Sequence, residues 1–241
     1  MTNVDFRSSK SLKYRYFLFD LDDTLLDFKA SERLSFQATL VALGLGDLTA
    51  SLFPGYQREN TQLWADFEHG LVSKEHIKVE RFRRAFAPHR IDADPEAASR
   101  RYLEFLRDSV VLIEGAAEIC EALCEFGELG VITNGIEAVQ TQRIAKSGLG
   151  RWLSFVATSE TCGYGKPDAR FFEFSVSKFR TFRKAETVLV GDRLDTDILG
   201  ARQFGIDSCW FNPSRAGNGS QIVPTFEVAR LRDIAAYLVS G

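Results

Sequence analysis

Short, uniformly apolar runs alternate with amphipathic stretches along most of the chain. The first run, Tyr16-Phe17-Leu18-Phe19, shows no polar alternation, as expected of a strand covered on both faces inside a parallel sheet, and it ends abruptly in acids. Four further runs have the same character, at residues 129–133, 155–158, 187–191 and 208–211. Helical spacing lies between them. Ile119, Ala122, Leu123 and Phe126 recur at intervals of three, four and seven, and Gly127 follows as a C-terminal stop. From about Val110 onward strand and helix alternate, which predicts an α/β fold: a doubly wound, Rossmann-like parallel sheet with helices on both faces.

The segment 28–108 differs, because its patterns are helical and no buried strand interrupts them. Its last helix has a clear start: Asp94 as N-cap, Pro95 at the first helical position, Glu96 in the first turn, then Ala98, Tyr102, Phe105 and Leu106 on one face. An all-helical insertion after the first strand is the expected arrangement. Residues 1–27 and 109–241 then form the α/β core and 28–108 a helical cap, expected above the carboxyl ends of the strands, where such sheets bind ligands. The one loop-rich stretch, 212–220, either borders the site or turns the chain.

Composition narrows the picture. At 241 residues, 45% hydrophobic and 26% charged, the chain has enough apolar material for one large domain or a core plus an insert. A formal net charge of −3 offers no global attraction to nucleic acid polymers or to an anionic membrane, so an anionic ligand must be held locally. Cys120, Cys124, Cys162 and Cys209 form no paired CxxC hooks, and the polar, basic N-terminal stretch does not read as a secretory leader. A soluble protein in a reduced, cytoplasmic setting is expected. Monomer and dimer both stay open.

The first strand ends in Asp20-Leu21-Asp22-Asp23-Thr24, and three more polar motifs follow later strands in order: Thr133-Asn134-Gly135, Lys166-Pro167, and Gly191-Asp192-Arg193-Leu194-Asp195-Thr196-Asp197. Singly each reads as a turn or a cap. Together they resemble the four motifs of the haloacid dehalogenase (HAD) superfamily, and the helical insertion matches its subclass I cap. The resemblance implies a phosphotransferase mechanism in which Asp20 is the nucleophile and forms an aspartyl-phosphate, while Asp22 serves as general acid and then general base. The same resemblance implies that Lys166 pairs with Asp20 and the phosphoryl group, and that the Thr133 hydroxyl and Asn134 backbone N–H hold phosphoryl oxygens. Asp20, Asp22 and Asp192 converging at strand ends need a compensating cation, and Mg2+ suits hard oxygen ligands. By the same resemblance its ligands are the Asp20 and Asp192 side chains and the Asp22 carbonyl, with Asp197 orienting a metal-bound water. Asp195 stays open as a sharer of that role.

A second acid at Asp22 favours phosphate ester hydrolysis over dehalogenation, since a halide leaving group needs no proton. A finer resemblance, to the pyrimidine 5′-nucleotidase group called YjjG/YfnB, rests on Leu63-Trp64 with Phe67 and Gly70, Arg81-Phe82, Gln142-Arg143, Ser147-Gly148-Leu149, Gly165-Lys166-Pro167-Asp168, Ser208-Cys209-Trp210-Phe211-Asn212 and Pro224-Thr225. It implies a small phosphate ester as partner, a nucleoside monophosphate in particular. Phosphatases of sugar phosphates or phosphoglycolate, phosphomutases and, more distantly, noncatalytic binding proteins share the fold. Trp64 and Phe67 fit an inward helical stripe better than a base-stacking face. His69, His76 and the Arg81, Arg83, Arg84 cluster read as solvated surface, and Phe28 and Lys29 are candidates for substrate contact.

Overall fold

The computed structural model describes residues 13–237; the N-terminal stretch up to residue 12 lies outside the described residues. The five expected strands form as β1 (Tyr16–Phe19), β2 (Glu128–Thr133), β3 (Phe155–Thr158), β4 (Thr187–Gly191) and β5 (Asp207–Phe211). A sixth, β6 (Phe226–Val228), was not anticipated, because three residues with only Val228 buried carry no readable period. All pair in parallel in the order β3-β2-β1-β4-β5-β6. Strand order therefore reverses at β1, whose Phe19 lies in register with Val131 of β2 on one side and Val190 of β4 on the other. Ligands of such sheets bind at that reversal, beyond the carboxyl ends.

The uniform apolarity of the strands has the expected cause. β1 and β4 are buried at every position. The short helices α8 (Ala169–Val176) and α9 (Leu199–Phe204) contribute Phe171, Phe172 and Ala201 to a cluster with Leu18, Ile132 and Leu189 of the sheet. Full burial of each large apolar side chain contributes about 1.5–3 kcal/mol.

Gly127 has a different role from the expected helix stop. The helix before β2, residues Ala116–Cys124, ends three residues earlier, and a Cβ on Gly127 would lie 2.1 Å from the Arg15 carbonyl oxygen. It is glycine so that the approach to β2 can pass against the residue preceding β1. The stretch after β5 turns the chain around buried Asn212: its Nδ2 donates to the Ala216 carbonyl and Glu227, and its Oδ1 accepts from the Ala216 N–H.

The chain divides into two compact units. One holds the sheet and, among the described residues, spans 13–27, 112–137 and 147–237. The other spans Phe28–Val111 together with Ala138–Lys146. This helical unit contains α1 (Phe28–Ala42), α2 (Thr49–Glu68), α3 (Lys74–Phe86) and α4 (Pro95–Asp108). The start of α4 forms as expected, with the Asp94 carboxylate accepting from the Glu96 N–H. Numbering the helices along the whole chain, α5 is Ala116–Cys124, α6 is Glu137–Ser147 and α7 is Ser159–Cys162. Most of α6 belongs to the helical unit, where Gln142 and Lys146 bond Asp108 at 3.0 and 2.5 Å.

Arg81 overturns the expectation of a solvated basic face. It is buried in the helical unit, its guanidinium 4.4 Å from the Tyr102 ring centroid and within 6 Å of those of Tyr56 and Phe82, with Nη1 donating to Asn60. Arg83 and Arg84 remain at the surface, paired with Glu80. Trp64 and Phe67 are half-buried and meet edge to face at 5.7 Å, whereas Leu63 is fully buried; His69 and His76 are exposed.

Candidate active site

The carboxyl ends of β1, β2 and β4 deliver three of the four motifs, and Lys166 follows β3 and the short helix α7. Asp20 follows β1 directly, and its N–H donates to the Val190 carbonyl of β4, so the backbone is fixed where the side chain leaves the sheet. The turn behind it is tight. Asp23 adopts a left-handed φ of 60° and donates its N–H to the Leu26 carbonyl, closing the chain on itself within a few residues. Asp22 sits half-exposed on this turn.

Lys166 brings two motifs together. Its Nζ lies 2.5 Å from Asp20 Oδ1 and 2.7 Å from Asp197 Oδ1, and it also donates to the Ile132 carbonyl at 3.0 Å. All three charged groups are buried. Burial would strip the lysine of its proton, but the charges of Asp197 and Asp20 outweigh that and hold its pKa above the ordinary value. The acids carry the opposite strain: burial pushes Asp20 up to about 7 against the pull of Lys166, with Asp197 and Asp22 adding like-charge repulsion. Asp192 rises to about 8 through burial and through the charges of Asp20 and Asp197.

Asp197 reaches the cluster through an unusual element. After β4 the chain forms a single π-helical turn, Leu194–Ile198, a rare element that is frequent at functional sites. The Arg193 N–H donates to Asp197 Oδ2 at 3.1 Å, and Gly191 leaves room for the carboxylate, since a Cβ there would lie 2.4 Å from its Cγ. Asp195 points elsewhere: it is exposed and paired with Arg193. It lies apart from the group that Asp20, Asp192 and Asp197 form.

Carboxylate oxygens of Asp20, Asp192 and Asp197 lie within 4.8 Å of one another. Three acids against one ammonium leave the pocket short of positive charge, and hard oxygen donors so spaced fit a divalent cation such as Mg2+. The Asp22 carboxylate is not one of the three.

Thr133 ends β2, buried, with its hydroxyl oxygen accepting from the Gly135 N–H at 3.0 Å. The Asn134 side chain was missed by reading the sequence, which assigned only its backbone. Its Nδ2 donates to the Lys166 carbonyl at 2.9 Å, and its Oδ1 accepts from the Lys166 N–H at 2.8 Å. Gly165 permits this approach, because a Cβ there would lie 2.7 Å from Asn134 Oδ1. The second and third motifs are thus clamped to each other.

A family model for haloacid dehalogenase-like hydrolases matches residues 14–205. The chain belongs to this family. It is 36% identical over 222 residues to the pyrimidine 5′-nucleotidase PynA of Streptococcus pneumoniae, covering 92% of this chain and 93% of that protein. It is 26% identical to the pyrimidine 5′-nucleotidase YjjG of Escherichia coli, covering 94% and 99%. Among solved structures, HAD-hydrolase YfnB of Bacillus subtilis, described as bound to magnesium, superposes with a TM-score of 0.88 at 31% identity, covering 94% of this chain and 99% of that one. Among the described residues of this HAD hydrolase, no helix is long and apolar enough to cross a membrane.

Proposed function

We propose that the protein is a Mg2+-dependent phosphomonoester hydrolase acting on pyrimidine nucleoside monophosphates. The observation that carries this reading is the buried Asp20–Lys166–Asp197 constellation, with Asp192 beside it at the sheet's reversal point. The names of PynA and YjjG support the substrate class. The helical unit serves as a cap that selects the substrate.

The chemistry begins with Asp20. One of its carboxylate oxygens attacks phosphorus, the bond from phosphorus to the ester oxygen breaks, and Asp22 gives its proton to the departing oxygen. Asp22 then takes a proton from water as that water attacks the aspartyl-phosphate, and the bond between Asp20 and phosphorus breaks to release phosphate. Splitting one displacement into two lets a single residue act first as acid and then as base. Lys166 orients Asp20 and faces the negative charge that builds on the phosphoryl oxygens, as do the Thr133 hydroxyl and the Asn134 N–H. Asp20, Asp192 and the Asp22 carbonyl would hold Mg2+, with Asp197 nearby; when bound, the ion neutralises the carboxylates and polarises the phosphoryl group.

Phosphate release from a panel of nucleoside monophosphates and sugar phosphates, with Mg2+ and with chelator, tests the reading. Pyrimidine monophosphates should turn over fastest, and Asp20→Asn should lower kcat by roughly 10^4-fold or more. Equal metal-dependent turnover of sugar phosphates would discard the nucleotidase assignment and keep the hydrolase; full turnover by Asp20→Asn would discard the mechanism.

A further inference from the structure

Three acids in one pocket repel one another, and a side chain under such repulsion relieves it by swinging outward unless its backbone is held. Asp20 is held by β4 through its N–H, and Asp197 by the π-helical turn and Lys166. Asp192 stands between these supports. It follows the last residue of β4 and precedes the π-helical turn, and its carboxyl is the least enclosed of the three.

Its main chain has a specific anchor. Trp210, on β5, lies in register with Gly191 of β4, and its indole Nε1–H donates to the Asp192 carbonyl at 2.8 Å. The residue is 6% exposed. A buried indole has one donor on a rigid frame with only two rotatable bonds, so the donor's position is set by the packing of the ring. The bond therefore ties the strand end to its neighbour at the residue whose carboxylate must face the other acids.

We propose that Trp210 is a positioning residue for divalent cation binding: its indole N–H fixes the Asp192 main chain and so keeps the Asp192 carboxylate within the acid cluster. This rests on reading Asp20, Asp192 and Asp197 as a cation site. A preorganised donor set binds more tightly because less ordering remains to be done on binding. The same contact places an indole against the backbone of a cation ligand, so tryptophan emission should report loading.

Mg2+ titration of the full chain by calorimetry separates the possibilities. Trp210→Phe, which keeps most of the ring but removes the donor, should raise the Mg2+ Kd about fivefold to tenfold, in line with the loss of one buried hydrogen bond. The Mg2+ concentration for half-maximal turnover should rise with it, while kcat at saturating Mg2+ stays within about twofold of the parent. Trp152→Phe, a matched loss of ring volume elsewhere in the core unit, should leave the Mg2+ Kd unchanged. An unchanged Kd in Trp210→Phe, or a turnover loss that Mg2+ does not restore, overturns the proposal and leaves the cation site standing. If the parent itself takes up no Mg2+, the cation site and the role of Trp210 fall together.

Should Trp210→Phe fail to fold, a chain carrying Trp64→Phe and Trp152→Phe retains Trp210 as its sole tryptophan. Its emission should then change on Mg2+ addition with the midpoint found by calorimetry. Emission indifferent to Mg2+ overturns the proposal.

Discussion

The Asn134 side chain and the Lys166 backbone exchange two hydrogen bonds, at 2.9 and 2.8 Å, so the loop after β2 fixes the residue that carries the buried ammonium. Removing that side chain leaves both a donor and an acceptor of Lys166 without partners. Asn134→Ala should therefore cost about 2 kcal/mol in urea denaturation and lower kcat/KM by roughly 10^2-fold through misplacement of Nζ. Asn134→Asp keeps the acceptor but sets a carboxylate against the Lys166 carbonyl, and should fall at least as far in activity.

Protons and Mg2+ should compete for the acid cluster. Burial and like charge raise Asp192 to about 8 and Asp20 to about 7, so the metal-free pair takes up protons as pH falls through that range. Mg2+ binding should weaken from pH 8.5 to 6 and release protons, measurable by calorimetry in buffers of different ionisation enthalpy. The sign for stability follows. Folded pKa values raised above the unfolded carboxyl value give the metal-free protein a stabilising contribution that is complete at acid pH and lost as pH rises through about 7 to 8. Saturating Mg2+ should thus raise Tm more at pH 8.5 than at pH 6.

Gly127→Ala should be costly although glycine there adopts no left-handed conformation. The new Cβ would meet the Arg15 carbonyl oxygen at 2.1 Å, against backbone that cannot rotate away. A loss of about 3 kcal/mol is expected from thermal or urea denaturation, with strand β1 displaced.

Arg81→Ala should also cost about 3 kcal/mol, because it empties a closed site and removes a cation from three aromatic rings. If Arg81 were the solvated residue its neighbours suggest, the change would be within about 0.5 kcal/mol.

These residues mark where sequence patterns inform and where they stop. The five main strands were legible because a strand buried on both faces has no alternation to misread, and the four motifs were legible because each follows one of those strands. β6 was too short to show a period. Arg81 was misread because one charged residue among Arg83 and Arg84 carries no sign of the rings that other helices bring to it. The tie from Asn134 to Lys166 spans 32 positions and depends on two loops meeting at strand ends. Trp210 lies within the apolar run 208–211 and is buried like the rest of it; only its indole N–H sets it apart.

The assignment of residues 138–146 to the helical unit bears on recombination between relatives. The polypeptide passes between the two units four times rather than twice, at residues 27/28, 111/112, 137/138 and 146/147. A chimaera that grafts a foreign insertion at the first two junctions alone would inherit the host's α6 with the donor's α4, and so lose the match between Asp108 and its partners Gln142 and Lys146. Exchange of substrate preference by transplantation should succeed only when α6 travels with the insertion.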